Sequence, residues 1–154
     1  MQELLRRVLR ALPWTRLLPQ GRAPRIEAVE AMRAIEAGDA VLLDVREHRE
    51  LSGGLAEPAL WMPMSEFSRS TPAWCDFVES LSRDKRVIVY CAAGVRAGRI
   101  ADALADLGFD TANLGAYHAW QAVGLPTRAP EATLREPCGQ GAPDPESSVD
   151  GDPR

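Results

Sequence analysis

The chain has 154 residues, 45% of them hydrophobic and 26% charged, which suits one ordinary folded domain and excludes a wholly disordered polyampholyte. A net charge of −4 and only 6% aromatic residues argue against a general nucleic-acid binder. No run of about 18 apolar residues is present to span a membrane. The three cysteines, Cys75, Cys91 and Cys138, form no disulfide framework and suit a reducing, cytoplasmic compartment.

Charge divides the chain into three parts. Residues 1–25 carry a net +5, residues 26–127 a net −6, and residues 128–154 a net −3 with five prolines and three glycines. The expected organisation is a basic amphipathic segment over 1–23, a folded domain over 24–127 and a disordered acidic tail over 128–154. In the first part Leu4, Leu5, Val8, Leu9 and Leu12 share one helical face, Arg6, Arg7 and Arg10 lie opposite, and Pro13 ends the pattern. Such a helix can make weak contact with an anionic membrane surface through residues 1–12, or pack on the body or a partner.

Within the body, residues 27–37 read as a helix stopped by Gly38, and Val41–Val45 as a strand buried on both faces. A short helix at 47–51, a Gly53-Gly54 break and a short strand near Leu60–Met62 follow. Residues 65–82 mix helix and loop around Pro72. Arg86–Tyr90 is the clearest strand, and it runs into Cys91, a glycine-containing turn and a helix over 95–107 that presents Ile100, Ala101, Leu104 and Leu107 on one face. Thr111–Leu114 is the last predicted strand and Ala116–Val123 the last predicted helix. This alternation with short connections predicts a parallel α/β sheet covered on both faces.

Ligands of such sheets sit outside the carboxyl ends of the strands, and that rule selects Cys91. The segment Cys91-Ala92-Ala93-Gly94-Val95-Arg96 is small enough to curl its backbone N–H groups around one point, ahead of a helix N-terminus. A cysteine held there is a competent nucleophile, and Arg96 closes the loop with a planar fork suited to a sulfur or phosphorus oxyanion. Asp44 and Arg46, two apart near a strand end, are expected to point to one side, toward this loop, in a structural role. Cys75 beside Trp74 reads as packing, Cys138 as a tail residue, and His48 and His118 as surface or cap residues. Trp120 reads as a core or pocket-wall residue.

These residues resemble the rhodanese-like domain of the sulfurtransferase family. Cys-x-x-Gly-x-Arg-Ala after the strand Val87-Ile88-Val89-Tyr90 looks like that family's active-site loop, and Leu42-Leu43-Asp44-Val45-Arg46-Glu47 is similar to its second-strand signature. Gly54 through Pro63 matches the spacing of its Gly-His-Ile-Pro-Gly-Ala-x-x-x-Pro segment, although Leu55 stands in place of His and Ala56-Glu57-Pro58 in place of Ile-Pro-Gly. This segment is expected to form a structural turn beside the sheet. Leu114-Gly115-Ala116-Tyr117-His118-Ala119-Trp120, then Gly124-Leu125-Pro126, looks like the C-terminal signature.

The resemblance implies a five-stranded parallel sheet with helices on both faces, and Cys91 as the carrier of sulfur. It implies a small anionic sulfur donor such as thiosulfate, a thiol or protein acceptor, no nucleic acid, and neither metal nor organic cofactor. A sulfur-relay or regulatory interaction module with little turnover is the alternative. Phosphatase or arsenate reductase chemistry is a minor one, because the related protein-tyrosine phosphatases have a loop one residue longer than the stretch from Cys91 to Arg96.

Overall fold

A computed structural model describes residues 23–131. The N-terminal amphipathic pattern, the acidic tail and Cys138 lie outside the described residues.

The chain order is α1 (Ala28–Glu36), β1 (Ala40–Asp44), a 3₁₀ helix (His48–Gly53), β2 (Leu55–Ala56), β3 (Ala59–Trp61), α2 (Met64–Arg69) and α3 (Pro72–Ser80). It continues with β4 (Arg86–Cys91), α4 (Val95–Asp106), β5 (Thr111–Ala116), α5 (Tyr117–Ala122) and β6 (Thr127–Arg128). Local chemistry sets several of these boundaries. Thr71 caps α3 by accepting the Trp74 N–H, and Pro72 takes the first helical position, where no N–H is needed. Pro72 therefore separates two helices within the mixed stretch.

Strands β3, β1, β4 and β5 form one parallel sheet in that order. Among the described residues this sheet has four strands, and the expected fifth is not formed as one. Residues 24–26 do run beside β5, where Asn113 N–H donates to Pro24 O (2.8 Å) and Ile26 N–H to Asn113 O (3.2 Å). Contact there is limited to one parallel bridge, between Arg25 and Asn113. Pro24 has no amide proton to extend the ladder on this edge.

The unforeseen element is a small antiparallel pair, β2 with β6, which ties the segment after Gly54 to the residues beyond Pro126. The stretch from Gly54 to Pro63 is thus more than a turn: it holds β2, a Glu57–Pro58 turn and the sheet-edge strand β3.

Helices cover both faces. Leu43, Val45, Val87, Val89 and Cys91 point to one core with Trp74, Cys75 and Val78 of α3 and Ala97, Ile100, Ala101 and Leu104 of α4. Leu42, Ile88, Tyr90, Ala112 and Leu114 point to the other, with Ala28 and Ala31 of α1 and Tyr117 and Trp120 of α5. Strand alternation assigns the residues to faces, and burying each large aliphatic side chain contributes about 1.5–3 kcal/mol. Cys75 is buried beside Trp74, His48 and His118 are exposed, and Trp120 is a core residue whose Nε1 donates to Pro126 O at 2.9 Å. No helix among the described residues is long and apolar enough to cross a membrane.

Candidate active site

The last residue of β4 is Cys91, 1% exposed, at the carboxyl edge of the sheet. Ala92 and Ala93 are exposed and Gly94 is buried as the chain curls into α4. Gly94 has a φ of 92°, a backbone state open to glycine at no steric cost, and this aims its N–H at the cysteine. The Gly94 N–H donates to Cys91 Sγ at 2.9 Å. Val95 opens the helix with a largely exposed side chain. The thiol therefore sits at the positive end of a three-turn helix, within reach of a backbone donor.

The loop is held from β5. Asn113 Nδ2 donates to Gly94 O at 3.2 Å, and Asn113 Oδ1 accepts the Gly115 N–H at 2.8 Å. The β4–β5 register shifts at this point, pairing Val89 with Asn113 but Tyr90 with Gly115. A side chain at Gly115 would meet the Arg25 guanidinium, whose Nη2 would lie 2.7 Å from an added Cβ. Arg25 and Asn113 also line a cleft of about 530 Å³ on the α4 flank of the loop, together with Gly94, Val95, Arg99 and Asp102.

Arg96 has a partner that the expectation did not include: both terminal nitrogens bond Glu50, Nη1 donating to Oε2 at 2.6 Å and Nη2 to Oε1 at 2.7 Å. Glu50 is fixed in turn by the Glu47 N–H, which donates to Oε2 at 2.8 Å at the start of the 3₁₀ helix. Glu47 itself accepts from the Ser65 N–H (3.0 Å) and hydroxyl (2.9 Å). The two charges reinforce each other. Hydrogen bonding to Arg96 lowers the Glu50 carboxyl from 4.5 to about 2, and hydrogen bonding to Glu50 raises Arg96 above its ordinary value.

Asp44 and Arg46 also depart from the expected direction. They do share one side, but it is the face of the sheet opposite Cys91, because Asp44 pairs in register with Tyr90 and has the same parity. Arg46 Nη2 donates to Asp44 Oδ2 at 2.7 Å and to Gly54 O at 2.9 Å, Nε reaches both Asp44 oxygens at 3.0 Å, and Tyr90 Oη donates to Asp44 Oδ2 at 2.7 Å. The guanidinium lies 4.1 Å from the centre of the Tyr117 ring. Burial opposes the Arg46 charge, but bonding to Asp44 outweighs it and the pKa is raised. Burial and the Asp44 carboxylate together raise Tyr90 far above its ordinary value. The link to the loop is indirect: Arg46 Nη1 donates to the Glu50 carbonyl at 3.2 Å.

Sequence reasoning missed Glu50, Asn113 and Arg25. Glu50 carries a local signal, since it stands three residues after Glu47 at a helix start, but nothing local announces its bond to a residue 46 positions away.

Comparison with known proteins places the fold in a family. The family model for the rhodanese-like domain matches residues 27–123. The tRNA uridine(34) hydroxylase of Citrobacter koseri is 29% identical over 85 residues, which cover 55% of this chain and 24% of that protein. The chain thus spans about a quarter of the length of the curated relatives it matches. Among solved structures, a rhodanese-related protein from Thermoplasma volcanium is 29% identical, with a TM-score of 0.57 over 68% of this chain and 97% of that one. The human single-domain sulfurtransferase is 26% identical, with a TM-score of 0.51 over 65% of this chain and 96% of that one. With a family match over most of the described residues and more than half of the chain, the chain belongs to the rhodanese-like domain family.

Proposed function

We propose that this protein is a sulfurtransferase that carries a sulfane sulfur as a persulfide on Cys91. The observation that supports this reading most is the Gly94 N–H donated to Cys91 Sγ at 2.9 Å, at the N-terminus of α4. With thiosulfate as donor, the Cys91 thiolate attacks the outer sulfur, the S–S bond of the donor breaks, and its electron pair leaves on sulfite. The terminal sulfur of the resulting Cys91–S–S⁻ carries the charge, which backbone N–H groups and the helix dipole stabilise. An acceptor such as cyanide or a thiol then attacks that sulfur, regenerating the Cys91 thiolate. This is covalent ping-pong catalysis.

The test is thiosulfate:cyanide transfer in cysteine variants. Cys91→Ser loses turnover while keeping the fold, because serine is nearly isosteric and holds no persulfide. Cys75→Ser and Cys138→Ser keep turnover near that of the unmodified protein. Loss in Cys138→Ser with Cys91→Ser still active reverses the assignment.

The match to a quarter of a tRNA uridine(34) hydroxylase favours one second reading. In it the domain is a sulfur-relay or docking module with little turnover of its own. A protein that takes no sulfur on Cys91 from any donor leaves only the docking module in place.

A further inference from the structure

We propose that the cleft of about 530 Å³ on the α4 flank is a binding site for a small sugar phosphate. Arg25 and Arg99 hold the phosphate there, and Asp102 accepts from the sugar hydroxyls. The site needs no chemistry at Cys91, so it stands apart from the sulfurtransferase reading.

Glycines keep the cleft open. Gly98 lies inside α4, where glycine costs about 1 kcal/mol relative to alanine. A Cβ there would come within 3.1 Å of Asn113 Nδ2, the atom that holds the Gly94 carbonyl. The Arg25 guanidinium lies against two more glycines. An added Cβ would be 2.7 Å from its Nη2 at Gly115 and 3.4 Å from its Nη1 at Gly94. This contact places the Arg25 charge at the cleft, although the residue as a whole is exposed.

The charged residues lining the cleft are Arg25, Arg99 and Asp102. The neighbouring Arg96 is taken by Glu50. Neither Arg25 nor Arg99 makes a side-chain hydrogen bond or ion pair among the described residues. Each guanidinium presents a planar fork of donors, the geometry that phosphate oxygens accept in pairs. A phosphate monoester brings a charge of about −1.5 to −2 and three acceptor oxygens, enough to engage both forks. Asp102 selects further. Its Oδ1 accepts the Ala23 N–H at 2.7 Å, and its Oδ2 accepts from no described residue. An open acceptor beside two cations suits a ligand that joins an anion to hydroxyl donors, which a bare phosphate does not. Ala23, Val95 and Gly98 offer apolar surface to a sugar ring, and the volume falls in the range of small-molecule sites.

The test titrates the isotope-labelled full chain with ribose 5-phosphate, ribose and inorganic phosphate while the amide resonances are followed. Ribose 5-phosphate should shift the Gly94, Gly98 and Gly115 signals to saturation, with a Kd about tenfold or more below that of inorganic phosphate. Ribose should leave them in place. Arg99→Gln, a change at an exposed position of α4, should raise the Kd about tenfold or more, as should Arg25→Gln. Arg33→Gln removes the same charge from an exposed position on α1 and should change nothing. No saturation into the millimolar range overturns the proposal. Equal affinity for ribose or for inorganic phosphate, an unchanged Kd in Arg99→Gln, or an equal loss in Arg33→Gln does the same. Cys91→Ser should bind as the unmodified protein does, so failure of this site and failure of sulfur transfer are read separately.

Discussion

Asp44 and Tyr90 sit opposite one another on adjacent parallel strands, and the tyrosine hydroxyl donates to Asp44 Oδ2 at 2.7 Å. Arg46 completes this buried group from below, bonding both Asp44 oxygens, and Tyr90 Oη accepts the Ala56 N–H at 3.1 Å. One polar cluster thereby joins β1, β4 and β2 on the face of the sheet that Cys91 does not occupy. Its work is to fix the backbone from which the Glu50 turn springs.

Replacing Arg46 by methionine therefore acts on stability first. It leaves the fully buried Asp44 carboxylate without its cation, a loss on the order of 3–5 kcal/mol for a buried pair. Urea unfolding measures it. The double variant Asp44→Asn/Arg46→Met should recover part of the loss, because the uncompensated charge is gone. A loss below about 1 kcal/mol in the single variant contradicts the structural role.

Acid stability reports on Glu50. Its carboxyl is lowered from 4.5 to about 2, chiefly by the bond to Arg96. A depressed carboxylate contributes stability that is fully present above its unfolded pKa and lost as pH falls through the folded one. The stability gap between the unmodified protein and Glu50→Gln is thus constant above about pH 5, narrows from there, and closes near pH 2. Denaturant unfolding at pH 7, 4 and 3 checks the trend, and a gap that is flat across this range contradicts it.

Gly94→Ala tests the curl of the loop. Alanine is strained at a φ of 92°, and its Cβ would come within 3.1 Å of Gly115 Cα, a backbone atom that cannot swing away. The expected cost is about 1–3 kcal/mol, with a loss of sulfur transfer because the N–H that reaches Cys91 shifts. Full activity in a variant of unchanged stability argues that the Gly94 amide plays no part.

Arg96→Lys keeps the charge but breaks the bidentate pair with Glu50. If this pair acts by holding the loop, kcat/KM falls by a similar factor for thiosulfate and for a low-charge persulfide. A loss confined to thiosulfate would make Arg96 a donor-binding residue after all.

Much of this architecture was legible from the residues, for a physical reason. Buried parallel strands announce themselves as apolar runs, so β1 and β4 stand out, and Pro72, Gly94 and Gly108 mark breaks that the backbone obeys. The placing of Cys91 is legible because a cysteine at a strand end, before a glycine turn and a helix, is a local pattern. What escaped is non-local. The direction of Asp44 depends on strand parity carried through to Cys91, and the partner of Arg96 depends on how the 3₁₀ turn folds back over α4. Strands of two residues, β2 and β6, are too short for any periodicity to show. That residues 24–26 form only a bridge turns on Pro24, whose lack of an amide proton weighs against a ladder there only once its neighbour β5 is known.

The most direct measurement is the intact mass of the protein after incubation with a sulfane-sulfur donor and removal of the excess. The account predicts a gain of one sulfur atom, mapped to Cys91 by peptide analysis, discharged by cyanide and absent in Cys91→Ser. No gain with either thiosulfate or a low-charge persulfide, or a gain that persists in Cys91→Ser, would contradict it.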